Sequence, residues 1–317
     1  MTEVKNYPTW DYKTARIKAH EGRFGMNNVN VDVFRNNIEI FHQGGYTTES
    51  GKTVQIPQDD PMIAGTKVYY EPIKVEETSL TYQTETDVVN DDALHASKEL
   101  IDKGMRPAVL NLASRFHACG GYHKGSRAQE EGLSRVSTLS RSLYQYFDER
   151  TSRWANVEFK AKLYPMNIRY GGIYSPEVTV FRDATNGYKL LDSPYHVGVI
   201  SVAALNFRVD KPNNNELIYM ADDGGFNAEG EALMRDKIRT IYRMALTNGH
   251  DALVLGAFGC GAFRLRSDRV APLFKEVLQE PEFQNKFRFI LFAILERNIT
   301  SKVGANGKFA PFYEEFA

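Results

Sequence analysis

The sequence predicts an α/β fold, with a sheet covered by helices on both faces. Three observations carry that prediction. From about residue 90 onward, short apolar runs alternate with segments of helical periodicity, the pattern of strands and helices in alternation. The runs are continuous rather than alternating, as in PAVLNLAS (Pro107 to Ser114) and DALVLG (Asp251 to Gly256), so both faces of those strands are expected to be buried. Glycine-rich loops follow two of the runs, and ligands of open α/β sheets bind beyond the carboxyl ends of strands.

The elements follow in order. Phe34, Ile38 and Phe41 recur at helical spacing, and Gly44-Gly45 can end that helix. Ser50-Gly51 marks a turn before a short strand in KTVQI. QDDPMIAG (Gln58 to Gly65) reads as a loop and LTYQTETDVV (Leu80 to Val89) as a strand. Asn90 or Asp91 is placed to cap a helix through Leu94 and Leu100, which Gly104 ends. Beyond the strand at Pro107, the residues Leu133, Val136, Leu139, Leu143 and Phe147 form one helical stripe. EVTVF (Glu177 to Phe181) and HVGVISVAAL (His196 to Leu205) are the next strands. Met234, Ile238, Ile241 and Ala245 mark a helix ended near Gly249. The strand at Asp251, a helix through Val270, Phe274 and Val277, and the strand FRFILFAIL (Phe287 to Leu295) complete the pattern. No Pro/Gly/Ser-rich linker sets off the less regular first part. Residues 1–90 are therefore expected to be an accessory region packed on a core of 91–317.

The 317 residues suffice for one large or two small domains. A net charge of −1 removes any bulk attraction to nucleic acid or acidic lipid, so no general nucleic-acid binding is expected. MTEVKNYPTW has no basic stretch followed by an apolar run, and no run of about 18 apolar residues occurs, so neither a secretory signal nor a membrane span is expected. The two cysteines, Cys119 and Cys260, form neither a disulfide framework nor a zinc spacing, which fits a reducing, cytoplasmic setting. His20, His95, His196 and His250 are scattered and read as structural, so no metal or cofactor is expected.

Two stretches can carry chemistry. CGGYHKGSRAQEEGLSRV starts at Cys119 with Gly120 and Gly121, continues through the donors His123, Lys124 and Arg127, and places Glu130 and Glu131 at a helix start. Neighbouring residues on a helix point roughly 100° apart. Acids favour first helical turns regardless of function, so these carboxylates are either solvated charges or acids beside a ligand held by the loop. Two close carboxylates raise one another's pKa, which suits a general acid, while a helix N-terminus favours the anion. The second stretch is GAFGCGAF, Gly256 to Phe263. Successive backbone N–H groups in such a turn form a concave anion site, for which a diphosphate is the natural guest. No GK[ST] follows, and the spacing is not GxGxxG, so neither common phosphate motif applies. A tight turn that binds nothing fits the same residues. Cys119 and Cys260 read as small apolar fillers rather than a nucleophilic pair.

Together these stretches resemble the poly(ADP-ribose) glycohydrolases, and the microbial type in particular. CGGYHKGSRAQEE resembles the signature of that family: three glycines, a short spacer, then Gln-Glu-Glu. VFRNNIEIFHQGGYTTESGKTVQIP, VVNDDALHASKEL, AVLNLAS, YSPEVTVFRD, the strand ending AALN, and GHDALVLGAFGCGAF resemble its other blocks, in the family's order, over roughly residues 30 to 295. The resemblance implies a macrodomain, three layers α/β/α around a mixed central sheet, with ADP-ribose lying across the two glycine loops. It implies that Glu131 is the catalytic acid/base, that Glu130 orients the ribose hydroxyls and that Gln129 supports the loop. Gly120 and Gly121 would let the backbone approach the reacting ribose. Gly259, Cys260, Gly261 and Ala262 would offer N–H groups to the diphosphate, and Phe263 would pack against the ligand. Asn111 and Asn206, at strand ends, would make polar contacts to it.

The implied reaction is hydrolysis of the ribose–ribose O-glycosidic bonds of poly(ADP-ribose) on modified proteins, without a cofactor. Removal of single ADP-ribose units from protein or nucleic acid needs the same pocket, and a non-catalytic ADP-ribose reader shares the binding loops. One departure stands out. Cys119 occupies the place of the first signature glycine, and Ala118 that of a frequent proline. If the position needs a positive φ, cysteine costs roughly 1 kcal/mol or more there, and its side chain would narrow the ribose pocket. Arg264 and Arg266 of RLRSD are placed either to meet phosphates of a longer chain or to be solvated surface.

Overall fold

The computed structural model describes residues 7–20, 23–57, 60–76, 81–144, 147–148, 153–154, 164–296 and 307–317. In chain order they form α1 (Tyr12–His20), α2 (Arg23–Gln43), β1 (Gly45–Thr47), β2 (Thr53–Gln55), α3 (Pro61–Gly65), β3 (Lys67–Tyr69), β4 (Glu85–Val89), α4 (Ala93–Asp102) and β5 (Pro107–Leu112). Next come α5 (Gln129–Val136), α6 (Leu139–Tyr144), the paired short strands β6 (Phe147–Asp148) and β7 (Arg153–Trp154), and the long strands β8 (Gly172–Asp183) and β9 (Lys189–Val202). They are followed by α7 (Ala228–Thr247), β10 (Ala252–Leu255), α8 (Ser267–Leu278), β11 (Phe289–Ala293) and α9 (Phe309–Phe316).

The chain forms two compact units that interleave along the sequence. The first takes Met1–Thr66, His117–Lys160 and Ser175–His196, and the second takes Lys67–Phe116, Ala161–Tyr174 and Val197–Ala317.

The chain forms a seven-stranded mixed sheet of order β3-β8-β9-β5-β10-β11-β4, of which β3, β5, β10, β11, β4 and the segments Gly172–Tyr174 and Val197–Val202 belong to the second unit. Parallel registers run through Ala108↔Gly198, Ala108↔Leu253, Leu253↔Ile290 and Ile290↔Thr86, while β3 is antiparallel to β8 at Lys67↔Tyr174. β10 is buried at every residue, as its unbroken apolar sequence requires. Met234, Ile238, Ile241 and Ala245 of α7 and Val270, Phe274 and Val277 of α8 join Leu253 and Ile290 in one core. These are the helical stripes the sequence marks. Asn227 caps α7 by accepting from Gly230 N, and Gly249 beyond its end has φ 74°. On α4 the cap is Asp92, which accepts from Leu94 N and His95 N, one residue beyond the expected Asn90 or Asp91. Asp91 instead meets His95, and Asn90 bonds the backbone of Glu296 in both directions. The strand expected over Leu80 to Val89 is confined to Glu85–Val89, and Leu80 lies outside the described residues.

In the first unit, α2 ends at Gly44 (φ 78°), and Gly51 (φ 83°) turns the chain between β1 and β2. Ile40, Phe41, Tyr46, Ile56, Phe181 and Leu190 pack together beneath them. The stretch expected as a loop contains a short helix, α3. Asp60 accepts from Met62 N at 2.9 Å and proline occupies the first turn, two start signals that override the loop reading; Gln58 and Asp59 lie outside the described residues. The stripe from Leu133 to Phe147 is not one helix. Ser137 is extended (φ −143°, ψ 173°) and bridges to Val180, while Thr138 exchanges bonds with Thr179 through N→O at 2.9 Å and N→Oγ1 at 3.0 Å. This strand-like pairing separates α5 from α6.

Of the histidines, His250 bonds the Tyr174 hydroxyl and Arg106 O in the core, and His196 bonds Thr179. The side chain of His20 and residues 1–6 lie outside the described set. Among the described residues no helix is long and apolar enough to cross a membrane.

Candidate active site

The first glycine loop belongs to the first unit. Cys119 and Gly120 both have φ 54°, and Gly121 has φ −102°. The position that carries Cys119 is therefore a left-handed one, where glycine would be unstrained. The Cys119 side chain is fully buried. Gly120 N donates to His117 O at 3.1 Å, Tyr122 N to Cys119 O at 3.0 Å, and Gly121 O accepts from both Lys124 N and Ser126 N. Gly125 (φ 73°) closes the following turn.

α5 starts at Gln129 behind Ala128, which has no side chain to cap it. The third helical residue, Glu131, turns back instead, and its Oε1 accepts from Gly121 N at 2.8 Å. Glu131 is 7% exposed, and among the described residues its Oε2 has no hydrogen-bond partner. A buried carboxylate oxygen without a partner is costly, and such atoms in native proteins mark sites where a ligand or water is received. Glu130 is buried beside it. A Cβ on Gly120 would collide with Glu131 Oε1 and come within 3.2 Å of Glu130 Oε2, and one on Gly121 would collide with Ser126 Oγ. Both carboxylates thus abut the Gly120 backbone, which leaves room there for no side chain. Gln129 is half-buried at the helix start. Lys124 and Arg127 are exposed, while burial and the charge of Lys124 push the half-buried His123 imidazole below its ordinary value.

A polar network beneath the loop has no sequence signal of its own. Asn37 Nδ2, on α2, donates to the Tyr122 hydroxyl at 2.7 Å and to Arg135 O at 2.9 Å. Asn30 Nδ2 donates to Gly125 O at 3.0 Å, and Arg135 Nη1 to Ser126 O at 2.6 Å. Arg182 donates to Asn37 Oδ1, Asn36 Oδ1 and Tyr188 O. Tyr122 is fully buried, edge-on to Phe34 with ring centroids 4.9 Å apart. The loop backbone is thus held at Gly125 and Ser126 by side chains from α2 and α5, while Arg182 of β8 holds Asn36 and Asn37 of α2.

The second glycine loop belongs to the second unit. Gly259 has φ 77°, and a Cβ there would come within 2.7 Å of Ala204. Cys260 N donates to Ala257 O at 3.0 Å, so this N–H is engaged inside the turn. Burial pushes the Cys260 thiol up to about 12, which leaves it inert as a nucleophile near neutral pH. Gly261 and Ala262 are exposed and Phe263 is half-buried against the core. Among the described residues no backbone bond takes the N–H of Gly259, Gly261, Ala262 or Phe263, while Phe263 O accepts from Phe207 N at 2.9 Å.

Asn111 faces Ser201 across β5 and β9, donates to its Oγ at 3.0 Å, and keeps a buried Oδ1 without a partner among the described residues. Asn206 is tied into its own loop. Its N–H donates to Glu216 Oε2 at 2.8 Å and its Oδ1 accepts from Arg208 N at 3.1 Å. Glu216, buried and also bonded by Arg115 Nε at 2.7 Å, is a loop-organising residue the sequence gives no reason to single out.

Asp91, His95 and Glu99 hold potential metal-ligand atoms within 4.8 Å of one another along α4, two of the three residues being exposed. Asp91 and His95 already pair at 2.5 Å.

Residues 35–183 match the family model of the microbial-type poly(ADP-ribose) glycohydrolase catalytic domain. The chain is similar to the poly(ADP-ribose) glycohydrolase of Thermomonospora curvata, with 28% identity and a TM-score of 0.69 over 93% of this chain and 100% of that one. The same enzyme bound to the inhibitor ADP-HPD matches at 27% identity and TM-score 0.67, over 92% of this chain and 99% of that one. The enzyme of Deinococcus radiodurans, in complex with ADP-ribose, matches at 28% identity and TM-score 0.61, over 83% of this chain and 98% of that one. The chain thus resembles the microbial-type poly(ADP-ribose) glycohydrolases, in the family model over residues 35–183 and in the solved structures over most of its length. It is a glycosidase, and its mixed sheet with flanking helices is the macrodomain-like fold of those structures. No curated protein matches the chain. The family model covers the whole first loop, the Gln-Glu-Glu run and most of the network that supports them.

Proposed function

We propose that the protein hydrolyses the ribose–ribose O-glycosidic bonds of poly(ADP-ribose) with Glu131 as general acid and then general base. The reading rests on one observation above others. The Glu131 carboxylate is buried, fixed through Oε1 by Gly121 N at 2.8 Å, and carries an Oε2 with no hydrogen-bond partner among the described residues. A fixed carboxyl with one uncommitted oxygen is suited to passing a proton to a bound substrate.

Protonated Glu131 donates its proton to the leaving 2′-oxygen as the anomeric C–O bond breaks. Positive charge develops on the anomeric carbon as an oxocarbenium ion. The carboxylate then takes a proton from water, the water oxygen bonds to the anomeric carbon, and Glu131 is restored to its acid form. Glu130, buried beside it, orients ribose hydroxyls, and Gln129 supports the turn. Gly120 and Gly121 let the backbone come against the sugar, since neither position has room for a Cβ. In the second unit, the open N–H groups at Gly259, Gly261 and Ala262 suit a diphosphate, and Phe263 offers a ring to the ligand. Asn111, through its uncommitted Oδ1, is the better placed of the two asparagines for a polar contact.

The test is release of free ADP-ribose from purified poly(ADP-ribose), run beside a mono-ADP-ribosylated protein. Wild-type protein should cut the polymer, and Glu131→Gln should lose turnover while still binding ADP-ribose. Turnover retained in that variant would remove Glu131 from the mechanism. Release from the mono-modified protein alone would reassign the substrate, and binding without cleavage of either would make the protein a reader.

A further inference from the structure

We propose that Lys308 supplies the positive charge of the second glycine loop, placing its ammonium group against the diphosphate of the ligand. The inference rests on the reading of that loop as a diphosphate site. Lys308 is 45 positions beyond Phe263 in the chain, yet its Nζ lies 3.9 Å from where a Gly261 Cβ would sit. Gly261 and Ala262 are the exposed part of the loop, and their N–H groups take part in none of its backbone bonds. The ammonium group therefore stands beside the backbone donors that would receive an anion.

The position of Lys308 is set by its backbone. Its N–H donates to both carboxylate oxygens of Glu296 at 3.2 Å, and Phe309 N donates to Glu296 Oε2 at 3.0 Å. Ser267 Oγ, at the start of α8 just after the loop, donates to Gly307 O at 2.9 Å. Glu296 thus caps α9 and fixes the residue that carries the charge.

The other cations near the loop are committed. Arg264 Nη2 pairs with Asp210 at 3.4 Å and Arg266 Nη2 with Asp268 at 2.7 Å. Among the described residues Lys308 has no carboxylate within ion-pair distance of its ammonium group. Its field reaches the loop interior, where it opposes the burial that raises the Cys260 thiol. Backbone N–H groups alone give a diphosphate only partial charges, and one full cation beside them adds a charge-assisted bond.

The experiment is calorimetric titration of ADP-ribose into the full-length wild type, Lys308→Gln and Lys308→Arg, at low and high salt, with a thermal melt of each variant. Wild type should bind. Lys308→Gln should bind roughly tenfold more weakly and lose part of the salt dependence, and Lys308→Arg should recover most of the affinity. Equal affinity of wild type and Lys308→Gln overturns the role of Lys308 while leaving the diphosphate reading standing. Absence of ADP-ribose binding by wild type overturns that reading and the inference with it. An affinity loss in Lys308→Gln accompanied by a lowered melting temperature and not rescued by Lys308→Arg identifies a merely structural lysine.

Discussion

Arg182 Nε donates to Asn37 Oδ1 at 2.7 Å, and the amide nitrogen of the same asparagine donates to the Tyr122 hydroxyl at 2.7 Å. One side chain on α2 thus joins a buried cation on β8 to the loop that carries the catalytic signature. Arg182 is buried to 2% exposure, and its bonds go to the amide oxygens of Asn36 and Asn37 and the carbonyl of Tyr188 rather than to a carboxylate. Trp10 and Phe181 lie near its guanidinium at 5.3 and 5.4 Å from their ring centroids. A desolvated cation of this kind depends on every neutral acceptor it has.

Asn37→Ala would remove an acceptor from Arg182 and donors from Tyr122 and the Arg135 carbonyl at once. Leaving buried partners unsatisfied costs about 1–3 kcal/mol per group, so a loss of roughly 2–4 kcal/mol is expected in urea unfolding. Turnover on poly(ADP-ribose) should fall as well, because Tyr122 anchors the segment between Gly121 and Glu131. An Asn37→Ala protein of wild-type stability and activity would show that the network is incidental.

Gly120→Ala addresses the close approach itself. The new Cβ would collide with the Glu131 carboxylate, and φ 54° disfavours any L side chain by roughly 1–2 kcal/mol. A catalytic carboxylate displaced by even an ångström commonly costs on the order of 100-fold in rate. The expected result is a drop in kcat of that order, read as ADP-ribose released per enzyme. Full activity in Gly120→Ala would mean the loop has slack the geometry does not reveal.

How much of the molecule is legible in its sequence depends on distance along the chain. Gly120, Gly121, Glu130 and Glu131 lie within a dozen residues, so their association reads directly as one local motif. The helices of the second unit are legible because their apolar stripes are long and their ends carry Asn227 or glycine. The break between α5 and α6 is not, because it is imposed by Thr179, 41 residues away, and apolar spacing alone continues through it. Asn37, Arg182 and Glu216 escape for the same reason: each bonds side chains or backbone from a different part of the chain, and none belongs to a local motif. The place of Cys260 in a glycine run makes it look like a donor to the ligand, whereas the turn directs its N–H to Ala257 O.

Cys119 stands where the family signature has its first glycine, and its φ of 54° puts it in the left-handed region. Cys119→Gly should relieve backbone strain and lose a small buried side chain, effects of similar size, so its melting temperature should stay near wild type. Cys119→Val should fall well below it, since a β-branched residue at positive φ is a genuine outlier and costs more than the roughly 1–2 kcal/mol of an ordinary side chain. The comparison is made by thermal unfolding of the three proteins. Equal stability of Cys119→Val and wild type would mean that the backbone at this position relaxes out of the left-handed region.

Lys237, on α7, is 1% exposed, and burial lowers its ammonium pKa to about 7, opposed by the charge of Glu216 and aided by that of Arg115. In the unfolded chain this lysine titrates near its ordinary value of about 10.4. Between those values the unfolded state holds more protons than the folded state, so stability should rise with pH across that window. Below about 7 both states are protonated and the burial penalty is fully present. Lys237→Met removes the titration and the penalty together. The variant should therefore exceed wild type most at pH 6, and its advantage should shrink by about 2–3 kcal/mol by pH 9 in urea unfolding. A stability difference that stays constant, or widens, over that range would show that Lys237 keeps an ordinary pKa in the folded protein, with Glu216 offsetting its burial.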